Sequence, residues 1–408
     1  MKYQVFDRTK CRVCGSDPLT RFLELPGMPL TDDLLRANER GSEFLYPIRV
    51  YFCATCSLVQ TLHDVDVRDY YHDYQYSVAL SQLAQDFMRR LAEQTWMKYG
   101  FKPGDTVVEV GSGDGVQLSY FQALGARVFG FEPSAPLVQT ARQRGIPVSL
   151  RLFGEGSEKD IPVDLLPVQV VLLTYTFDHL PEPSSFLNSV RRILDPQRGI
   201  LVIEVHDLEK IVQRREYCLF EHEHTTYYTN AMIQQVLQQA GFELIDLDLV
   251  PQAKRRANSL IAVARPIGSN VASALPVIAR KPWENADAFV NFGSEVEASV
   301  NRFREFVANN RKQGRRLGGY GAGGRGVMTL AASQVAPEDL AYLCDSNPQL
   351  YGYYTPKTHL PVVAPEHVLD DWVDELIVFS FGYLDEIKTT MSAYTQRGGK
   401  LVSLLELL

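Results

Sequence analysis

The residues best suited to chemistry lie in one short segment, residues 220–228, which reads Phe-Glu-His-Glu-His-Thr-Thr-Tyr-Tyr. An extended backbone would place His222 and His224 on one side and Glu221 and Glu223 on the other, whereas a turn would break that alternation. Imidazoles and carboxyl groups are the groups that proteins use most often to move protons near neutral pH. The segment is therefore the first candidate for a catalytic site.

Three interpretations of this segment compete. It is a solvated charged loop, a metal site completed by His206 or His179, or a catalytic acid–base pair. We favour the acid–base pair, because four cysteines elsewhere in the chain already account for a metal ion. Such a pair suits the removal of a proton from a carbon beside a carbonyl group, with nearby hydroxyl groups donating to the enolate oxygen.

A glycine turn follows a short apolar strand at residues 107–115, which read Val-Val-Glu-Val-Gly-Ser-Gly-Asp-Gly. Gly111, Gly113 and Gly115 have no Cβ atoms, so a ligand can approach the backbone closely, and the helix predicted after them would point its N-terminal amides at that ligand. Glu132 ends the next β-type run and is placed to accept the two hydroxyl groups of a ribose. These features predict a nucleotide site; a turn with a purely structural role is the alternative.

The charges around this turn indicate which nucleotide it would bind. Carboxylates at Glu109 and Asp114 would repel the pyrophosphate of a dinucleotide but attract a cationic sulfonium and ammonium. S-adenosylmethionine carries both cations and no phosphate, so the turn predicts a methyltransferase. Transfer of a methyl group to an sp³ carbon requires that a proton be removed first, which gives the acid–base pair a task.

Four of the six cysteines form two knuckles of the Cys-x-x-Cys type, Cys11 with Cys14 and Cys53 with Cys56. Each two-residue spacer lets both thiolates face one ion, so the four predict a tetrahedral Zn²⁺ site. The alternative is two disulfides or four unrelated thiols. Four thiolates leave no open position for water or substrate, so the predicted zinc is structural. The remaining two cysteines, at positions 218 and 344, are expected to be buried packing residues.

Alternating strand and helix patterns must position these groups. Helices are predicted at 81–98 and 285–311, and the strands at 106–110, 127–131, 147–152, 169–174, 199–205, 243–250, 258–265, 375–380 and 400–405. His179 follows the strand at 169–174, at the sheet edge where ligands of doubly wound folds collect. A second glycine turn at 321–326, with Asp345 closing the next strand, has the spacing of a nucleotide-binding unit. Arg325 within it is either a phosphate contact or an exposed surface residue.

These patterns predict an α/β protein of three parts. They are a zinc-stapled N-terminal module at 1–68, a class I (Rossmann-like) methyltransferase domain at 69–265 and a second Rossmann-like C-terminal domain at 266–408, with the substrate between the last two. A chain of 408 residues is long enough for such domains to have their own cores.

Composition excludes some partners. The net charge is −8 and the chain has no basic run, which argues against nucleic acid or an anionic membrane as the main partner. The sequence begins without a signal-peptide core, and no apolar run reaches the length of a membrane span. We expect a cytoplasmic protein that acts on a small molecule.

The order of these features resembles a known family. Paired cysteine knuckles, the glycine turn, the motif His179-Leu-Pro, the Glu-His segment and a second nucleotide-type domain follow one another in the sugar C-methyltransferases of antibiotic deoxysugar pathways. Those enzymes methylate an NDP-activated 4-keto-hexose at the carbon adjacent to the ketone. The resemblance covers nearly the whole chain, and its most specific parts are residues 221–224, 344–348 and 356–361.

The resemblance implies roles for individual residues. Glu223 and His224 would be the base and its partner, and His179 and Tyr76 would lie at the sugar. S-adenosylmethionine would contact a set of residues around the glycine turn: Glu109, Gly111, Gly113, Asp114, Glu132, Pro133 and Tyr175. The partner would be an NDP-sugar, bound by a monomer or small homo-oligomer.

Three departures from the family pattern concern the pocket. Glu221 stands where the family usually has a tyrosine, Tyr175 where an asparagine is common, and residues 256–259 replace a glycine-rich stretch. They allow a substrate other than the usual keto-deoxyhexose. The alternatives to carbon methylation are an O- or N-methyltransferase of another small metabolite and a non-catalytic nucleotide-binding scaffold.

Overall fold

The computed structural model of the chain describes residues 3–67, 70–71, 81–256 and 258–408. Tyr76, expected at the substrate, lies outside the described residues, as does the predicted boundary at 68/69. The structural statements below refer to the described residues.

The N-terminal module is built from short antiparallel strands. They are β1 (Val5–Asp7), β2 (Leu19–Met28), β3 (Tyr46–Cys53), β4 (Val59–Thr61) and β5 (His63–Val65). Strand β3 pairs with both β2 and β4, and β1 pairs with β5. The knuckle cysteines lie beside the ends of these strands, so a bound metal would hold together a module with a small apolar core of its own.

The central domain alternates strands with helices. Its strands are β6 (Thr106–Val110), β7 (Arg127–Glu132), β8 (Val148–Leu150), β9 (Val170–Thr174), β10 (Ile200–Val205), β11 (Thr226–Tyr227), β12 (Phe242–Asp246) and β13 (Leu260–Pro266). Its helices are α1 (Gln82–Lys98), α2 (Val116–Ala123), α3 (Ala135–Gln143), α4 (Pro183–Ile193), α5 (Leu208–Arg214) and α6 (Asn230–Gln239).

The strands of the central sheet follow the order β12-β13-β10-β9-β6-β7-β8. Strands β6 to β10 are parallel, and β12 and β13 form an antiparallel hairpin beside β10. The apolar runs in β6, β9 and β10 are buried throughout or nearly so, because helices cover both faces of the sheet. Their carboxyl ends therefore meet at one edge.

Strand β11 belongs to a different sheet from its neighbours in sequence. Thr226 and Tyr227 pair with Gln60 and Val59 of β4, so this strand extends the sheet of the N-terminal module. The segment at 221–224 immediately precedes β11. Its position is therefore set by the N-terminal module as well as by the central domain.

The C-terminal domain is a second parallel α/β unit. It contains α7 (Ala286–Lys312), β14 (Leu317–Tyr320), α8 (Gly324–Ala332), β15 (Leu343–Cys344), β16 (Val362–Val363), β17 (Glu375–Val378), α9 (Leu384–Thr390), α10 (Ser392–Gln396) and β18 (Lys400–Ser403). The described strands form a parallel sheet of order β16-β15-β14-β17-β18.

Helix α7 joins the C-terminal domain to the N-terminal module. The ring of Phe289 lies 5.0 Å from that of Phe22 in β2 and 5.2 Å from that of Phe52 in β3. All three rings belong to one continuous buried cluster that also includes the strands of the central sheet. The N-terminal module thus packs against both of the other parts of the chain.

Candidate functional site

The glycine turn after β6 has the backbone that its sequence requires. Gly111, Gly113 and Gly115 have φ angles of +72°, +53° and +79°, a region that L-residues with side chains rarely adopt. A Cβ atom at Gly111 would collide with the side chain of Thr176, whereas a Cβ atom at Gly113 would meet no atom within 4 Å. The turn therefore has open space above Gly113 for a ligand.

Glu132 at the end of β7 is bound to this turn. Its carboxylate accepts the N–H of Gly113 at 2.9 Å and the N–H of Ser134 at 2.9 Å, one on each oxygen. Burial raises the pKa of this carboxyl group, against the lowering effect of the two backbone donors. Each oxygen has a second lone pair, so the carboxylate still has the capacity to accept the hydroxyl groups of a ribose. Pro133 lies between these two contacts, in the turn that leads to α3.

Glu109 lies beneath the turn with an unsatisfied carboxyl group. Its side chain is buried, and Oε2 has no hydrogen-bond partner among the described residues. Burial, with the nearby charges of Asp114 and Glu132, raises its pKa well above the usual value. A buried acid without a partner next to the glycine turn fits a cationic ligand such as S-adenosylmethionine. Asp114 is less available, because Oδ2 lies 3.2 Å from Nη2 of Arg144.

The segment 221–224, here called the acid–base segment, is a buried bend. Each of its four side chains belongs to a residue less than 9% exposed, which excludes a solvated loop. The alternation of an extended strand is lost, and the two histidines diverge. His222 Nδ1 lies 2.8 Å from Nε2 of His63, and its own Nε2 lies 3.0 Å from the carbonyl oxygen of Met28. His222 therefore ties the segment to the N-terminal module.

His224 turns instead toward the carboxyl edge of the central sheet. Its Nδ1 lies 2.8 Å from the carbonyl oxygen of Leu219 and must donate to it, so in the neutral ring the lone pair is on Nε2. The ring centroids of His179 and His206 each lie 4.8 Å from that of His224. His179 Nδ1 is 2.8 Å from the hydroxyl of Tyr71. The structure thus brings together three imidazoles, here called the imidazole cluster.

The two carboxyl groups of the acid–base segment lie beside this cluster. Burial, with the charge of Asp32 adding to it, raises the pKa of Glu221 to about 8. Burial and the charge of Glu221 raise the pKa of Glu223 to about 7. Oε1 of Glu223 lies within 3.4 Å of the N–H and hydroxyl of Thr31, and Oε2 has no partner among the described residues. Each carboxyl group is therefore able to carry a proton near neutral pH.

Glu221 also abuts the C-terminal glycine turn. Its Oε1 lies 2.5 Å from the point where a Cβ atom of Gly324 would be, so only glycine fits there without displacing the carboxyl group. The N–H of Ala322 in this turn donates to Asp345 at 2.8 Å, as the nucleotide-binding pattern predicts for an acid after the second strand. Arg325 is partly buried, with its guanidinium 4.9 Å from the ring centroid of Phe381. This corrects the interpretation of Arg325 as an exposed surface residue.

The sequence patterns did not identify Asp178 as a site residue, and they indicated His206 only as a candidate metal ligand. Asp178 is almost fully buried, and its Oδ2 lies 2.9 Å from His206 Nδ1. His206 directly follows β10, and residues at the carboxyl end of a parallel strand are the usual ligand contacts of such sheets. That rule alone would have singled out His206.

Tyr175, predicted to contact the cofactor, lies at the centre of a buried network. It has a φ angle of +52°, and its ring centroid is 4.5 Å from that of His206. The guanidinium of Arg256 lies 4.4 Å from the tyrosine ring and forms a buried ion pair with Glu204. The Tyr175 hydroxyl donates to the carbonyl oxygen of Asn258 at 2.5 Å. Two of the departures from the family pattern, at 175 and 256–259, are thus packed against each other.

The four knuckle cysteines converge as predicted. Sγ of Cys11 lies 3.5 Å from Sγ of Cys56, Sγ of Cys14 lies 3.6 Å from Sγ of Cys53, and all four sulfurs are within 4.8 Å of one another. Four thiolates at about 2.3 Å from one zinc ion would be about 3.8 Å apart. All four are free thiols, so the alternative of two disulfides is wrong.

A second group of residues has potential metal-ligand atoms equally close together. Ligand atoms of Asp178, His179 and His224 also lie within 4.8 Å of one another. Asp178 Oδ2 already accepts a hydrogen bond from His206, as described above.

The two lone cysteines, at 218 and 344, are fully buried in the apolar interior, as expected.

Comparison with protein families matches consecutive parts of the chain. A zinc binding domain matches residues 11–71, a methyltransferase domain matches residues 74–247, and the C-terminal domain of C-methyltransferases matches residues 257–405. The last match begins before β13, so it includes a strand of the central sheet. No helix among the described residues is long and apolar enough to cross a membrane.

Two curated relatives and a solved structure extend this comparison. The chain is 25% identical over 400 residues to the C-methyltransferase NovU of Streptomyces niveus, covering 96% of this chain and 94% of NovU. It is 25% identical over 172 residues to an uncharacterized methyltransferase of Bacillus pumilus, covering 38% of this chain and 79% of that protein. The plantazolicin methyltransferase BpumL, solved with S-adenosylhomocysteine, aligns with 44% of this chain and 84% of its own, at 16% identity and a TM-score of 0.36.

Proposed function

Because the chain belongs to the S-adenosylmethionine-dependent C-methyltransferases that carry an N-terminal zinc-binding domain, we propose that it methylates the carbon beside the ketone of a nucleotide-activated 4-keto sugar. One observation carries the proposal: the neutral ring of His224 donates through Nδ1 to Leu219, which leaves the lone pair of Nε2 among other acid–base groups, at the sheet edge that also bears the predicted cofactor turn. An O- or N-methyltransferase can use a nucleophile that is nearly available at neutral pH. Carbon methylation requires a base, and this site has one.

The chemical step begins at His224. Its Nε2 takes the proton from the carbon beside the ketone, and the electron pair of that C–H bond moves into an enolate. Glu223, whose pKa near 7 leaves it free to give or take a proton, is the partner of this base. Glu221, with its pKa near 8, is mostly protonated at neutral pH and donates to the enolate oxygen.

S-adenosylmethionine supplies the methyl group as a sulfonium. The new C–C bond forms as the S–CH₃ bond breaks, and sulfur keeps the electron pair. The products are the methylated ketone, S-adenosylhomocysteine and one proton. In this step Glu109 and Glu132 hold the donor over the glycine turn, so that the enolate carbon attacks the methyl group in line.

The C-terminal domain supports a nucleotide-linked substrate. Its glycine turn, with the N–H of Ala322 bound to Asp345, adjoins Glu221 of the acid–base segment. Arg325 is partly buried in the same turn, and its Nε has no hydrogen-bond partner among the described residues. A guanidinium donor beside a glycine turn suits a phosphate oxygen. A sugar diphosphate would thus extend from this turn toward the imidazole cluster.

Turnover of NDP-activated 4-keto sugars with S-adenosylmethionine tests the proposal. We expect His224→Asn and Glu223→Gln each to lower kcat by about 10²- to 10⁴-fold, because each removes one half of the acid–base pair. Binding of S-adenosylhomocysteine should stay unchanged in both. His367→Asn, at a partly exposed histidine of the C-terminal domain, is the control and should keep full activity.

The product distinguishes the reaction classes. Mass spectrometry and NMR of the product should place the new methyl group on carbon, and deuterium at that carbon of the substrate should be lost to water. A methyl group on oxygen or nitrogen would contradict carbon transfer, as would full activity of both variants. A protein that binds S-adenosylhomocysteine but turns over none of the sugars would contradict the substrate class.

A further inference from the structure

We propose that His206, oriented by Asp178, is a second acid–base residue of this site and takes over the proton that His224 removes from the substrate carbon. The inference rests on the proposed function, because it assigns the fate of the proton in that reaction. It concerns two residues for which neither the sequence patterns nor the family resemblance gave an acid–base role.

The geometry of His206 is that of an oriented imidazole. Its Nδ1 lies 2.9 Å from Oδ2 of Asp178, so Nδ1 carries the hydrogen and donates it to the carboxylate. Nε2 therefore keeps its lone pair, and no described residue forms a hydrogen bond with it. The ring lies 4.8 Å from that of His224 and 4.5 Å from that of Tyr175. His206 thus contacts both the proposed base and the predicted cofactor contact.

The charge that would stabilise an imidazolium belongs to Asp178. Although burial alone would raise its pKa, the hydrogen bond from His206 and the neighbouring imidazoles hold the pKa of Asp178 well below its usual range. Its Oδ1 is buried and has no hydrogen-bond partner among the described residues. Glu221 and Glu223, by contrast, have pKa values of about 8 and 7 and are largely or partly neutral at neutral pH.

The hydrogen bond to Asp178 distinguishes His206 from His224. Asp178 has a ligand atom within 4.8 Å of one of His224, but it is His206 that donates a hydrogen bond to this carboxylate, so a proton on His206 is compensated directly. Burial lowers the pKa of His206 to about 4, against the raising effect of Asp178, so this ring is neutral before the reaction and gives up a proton readily once it has received one. Of the other groups facing it, Arg325 and His224 disfavour the charged form of His206.

The proposed transfer conserves atoms and charge. His224 Nε2 gains the proton when the C–H bond breaks, and this proton then moves to Nε2 of His206. His224 is neutral again while the methyl group is transferred, and the imidazolium of His206 is compensated by Asp178. Release of the methylated product opens the site, and His206 gives its proton to water.

Exchange of the substrate's α-proton with D₂O, measured in the presence of S-adenosylhomocysteine, tests this step apart from methyl transfer. In His206→Gln, His224 would still remove the proton but would return the same one, so exchange should fall about 100-fold or more. Asp178→Asn keeps the shape of the side chain at position 178 but removes its negative charge, so exchange should fall in this variant as well. KM and S-adenosylhomocysteine affinity should stay within about twofold in both.

Rescue by added imidazole separates a chemical role from a structural one. In His206→Ala, imidazole should restore exchange and methyl transfer in a concentration-dependent way, whereas a ring that only filled space would give no such restoration. His367 and Asp371 form a matched histidine–aspartate pair on the C-terminal domain, 3.8 Å apart and partly exposed. His367→Gln and Asp371→Asn should leave exchange unchanged.

The outcomes separate this inference from the proposed function. Absence of exchange in the wild-type protein with every 4-keto sugar would refute the proposed function. Exchange that is present in the wild type and survives in His206→Gln would refute the role of His206. A second set of results would also refute the role of His206. In that set His206→Gln and His206→Ala bind S-adenosylhomocysteine normally but lose exchange, and imidazole does not restore it. Asp178→Asn, in the same set, remains active.

Discussion

The buried carboxyl group of Glu109 contributes to the electrostatics of the predicted cofactor site at the glycine turn. The sequence identified Glu109 by its place before the turn, and the structure adds that one of its oxygens has no partner among the described residues. Burial raises the pKa of this group and so favours its protonated form while the site holds no cation. A bound cation favours the ionised form, so binding and deprotonation are coupled.

This coupling predicts the pH dependence of cofactor binding. S-adenosylmethionine should release a proton on binding, and its affinity should rise with pH until the free site is itself deprotonated. Glu109→Gln should abolish the proton release and weaken binding by roughly 10- to 100-fold, the range expected for a charge-assisted hydrogen bond. Calorimetry in buffers of different ionisation enthalpy measures both quantities.

The control for this measurement is Glu155→Gln, a change at an exposed acid in the central domain. It should alter neither the affinity for S-adenosylmethionine nor the proton release. Binding that is independent of pH in the wild type, or an unchanged proton release in Glu109→Gln, would show that another group is coupled to the cofactor.

At the scale of elements, the short strand β11 connects the predicted zinc site to the predicted base. Gln60 of β4 donates to Sγ of Cys11 at 3.1 Å, and the same residue pairs with Thr226 of β11. The N–H of Thr61 donates to the carbonyl oxygen of Thr225, one residue after His224. A metal ion held by the knuckle cysteines would therefore contribute to the position of the acid–base segment through two adjacent backbone strands.

Loss of the metal should accordingly reduce activity as well as stability. We expect Cys56→Ser to bind less than one zinc per chain and to lose stability and methyl transfer together, because β4 no longer holds β11 in place. Metal analysis, thermal unfolding and a methyl-transfer assay on the same preparation measure the three effects.

The comparison variant is Cys218→Ala, which removes a buried thiol that is not part of the knuckles. It should keep one zinc per chain. A zinc-free Cys56→Ser protein with wild-type turnover would mean that the acid–base segment holds its position without the N-terminal module.

At the scale of the whole molecule, helix α7 determines how the C-terminal domain meets the N-terminal module. Gly293 on this helix approaches the backbone of β2 so closely that an added Cβ atom would collide with the carbonyl oxygen of Phe22. A glycine inside an exposed helix normally costs about 1 kcal/mol relative to alanine. Here alanine is expected to be the more costly residue, because its Cβ atom would collide with the backbone of β2.

Gly293→Ala should therefore destabilise the protein by about 1–3 kcal/mol, the range for overpacking a close contact. Ser294→Ala, at the adjacent exposed position on the same helix, removes no packing contact and should be neutral or slightly stabilising. Urea unfolding of the two variants compares them directly. A more stable Gly293→Ala protein would contradict the packing of α7 on β2.

Much of the secondary structure was predictable from local patterns. Strand β6 matches its prediction at 106–110, and the predicted helices at 81–98 and 285–311 are observed as α1 and α7, each within one residue. The predicted strand at 243–250 is shorter, ending at Asp246 in β12, because the chain turns away there and Asp248 donates its N–H to Asp246. Boundaries of this kind depend on side-chain hydrogen bonds that periodicity does not encode.

The sequence by itself determined the α/β class and predicted the zinc ligands and the cofactor turn, because each depends on spacing within a few residues. Only the tertiary structure decided that His222 faces the N-terminal module while His224 faces His206. It also decided that Asp178 accepts a hydrogen bond from His206, and that Glu221 lies against a glycine turn about one hundred positions later in the chain. Burial and charge at these positions arise from contacts between elements far apart in sequence, and the packing of the three parts creates those contacts.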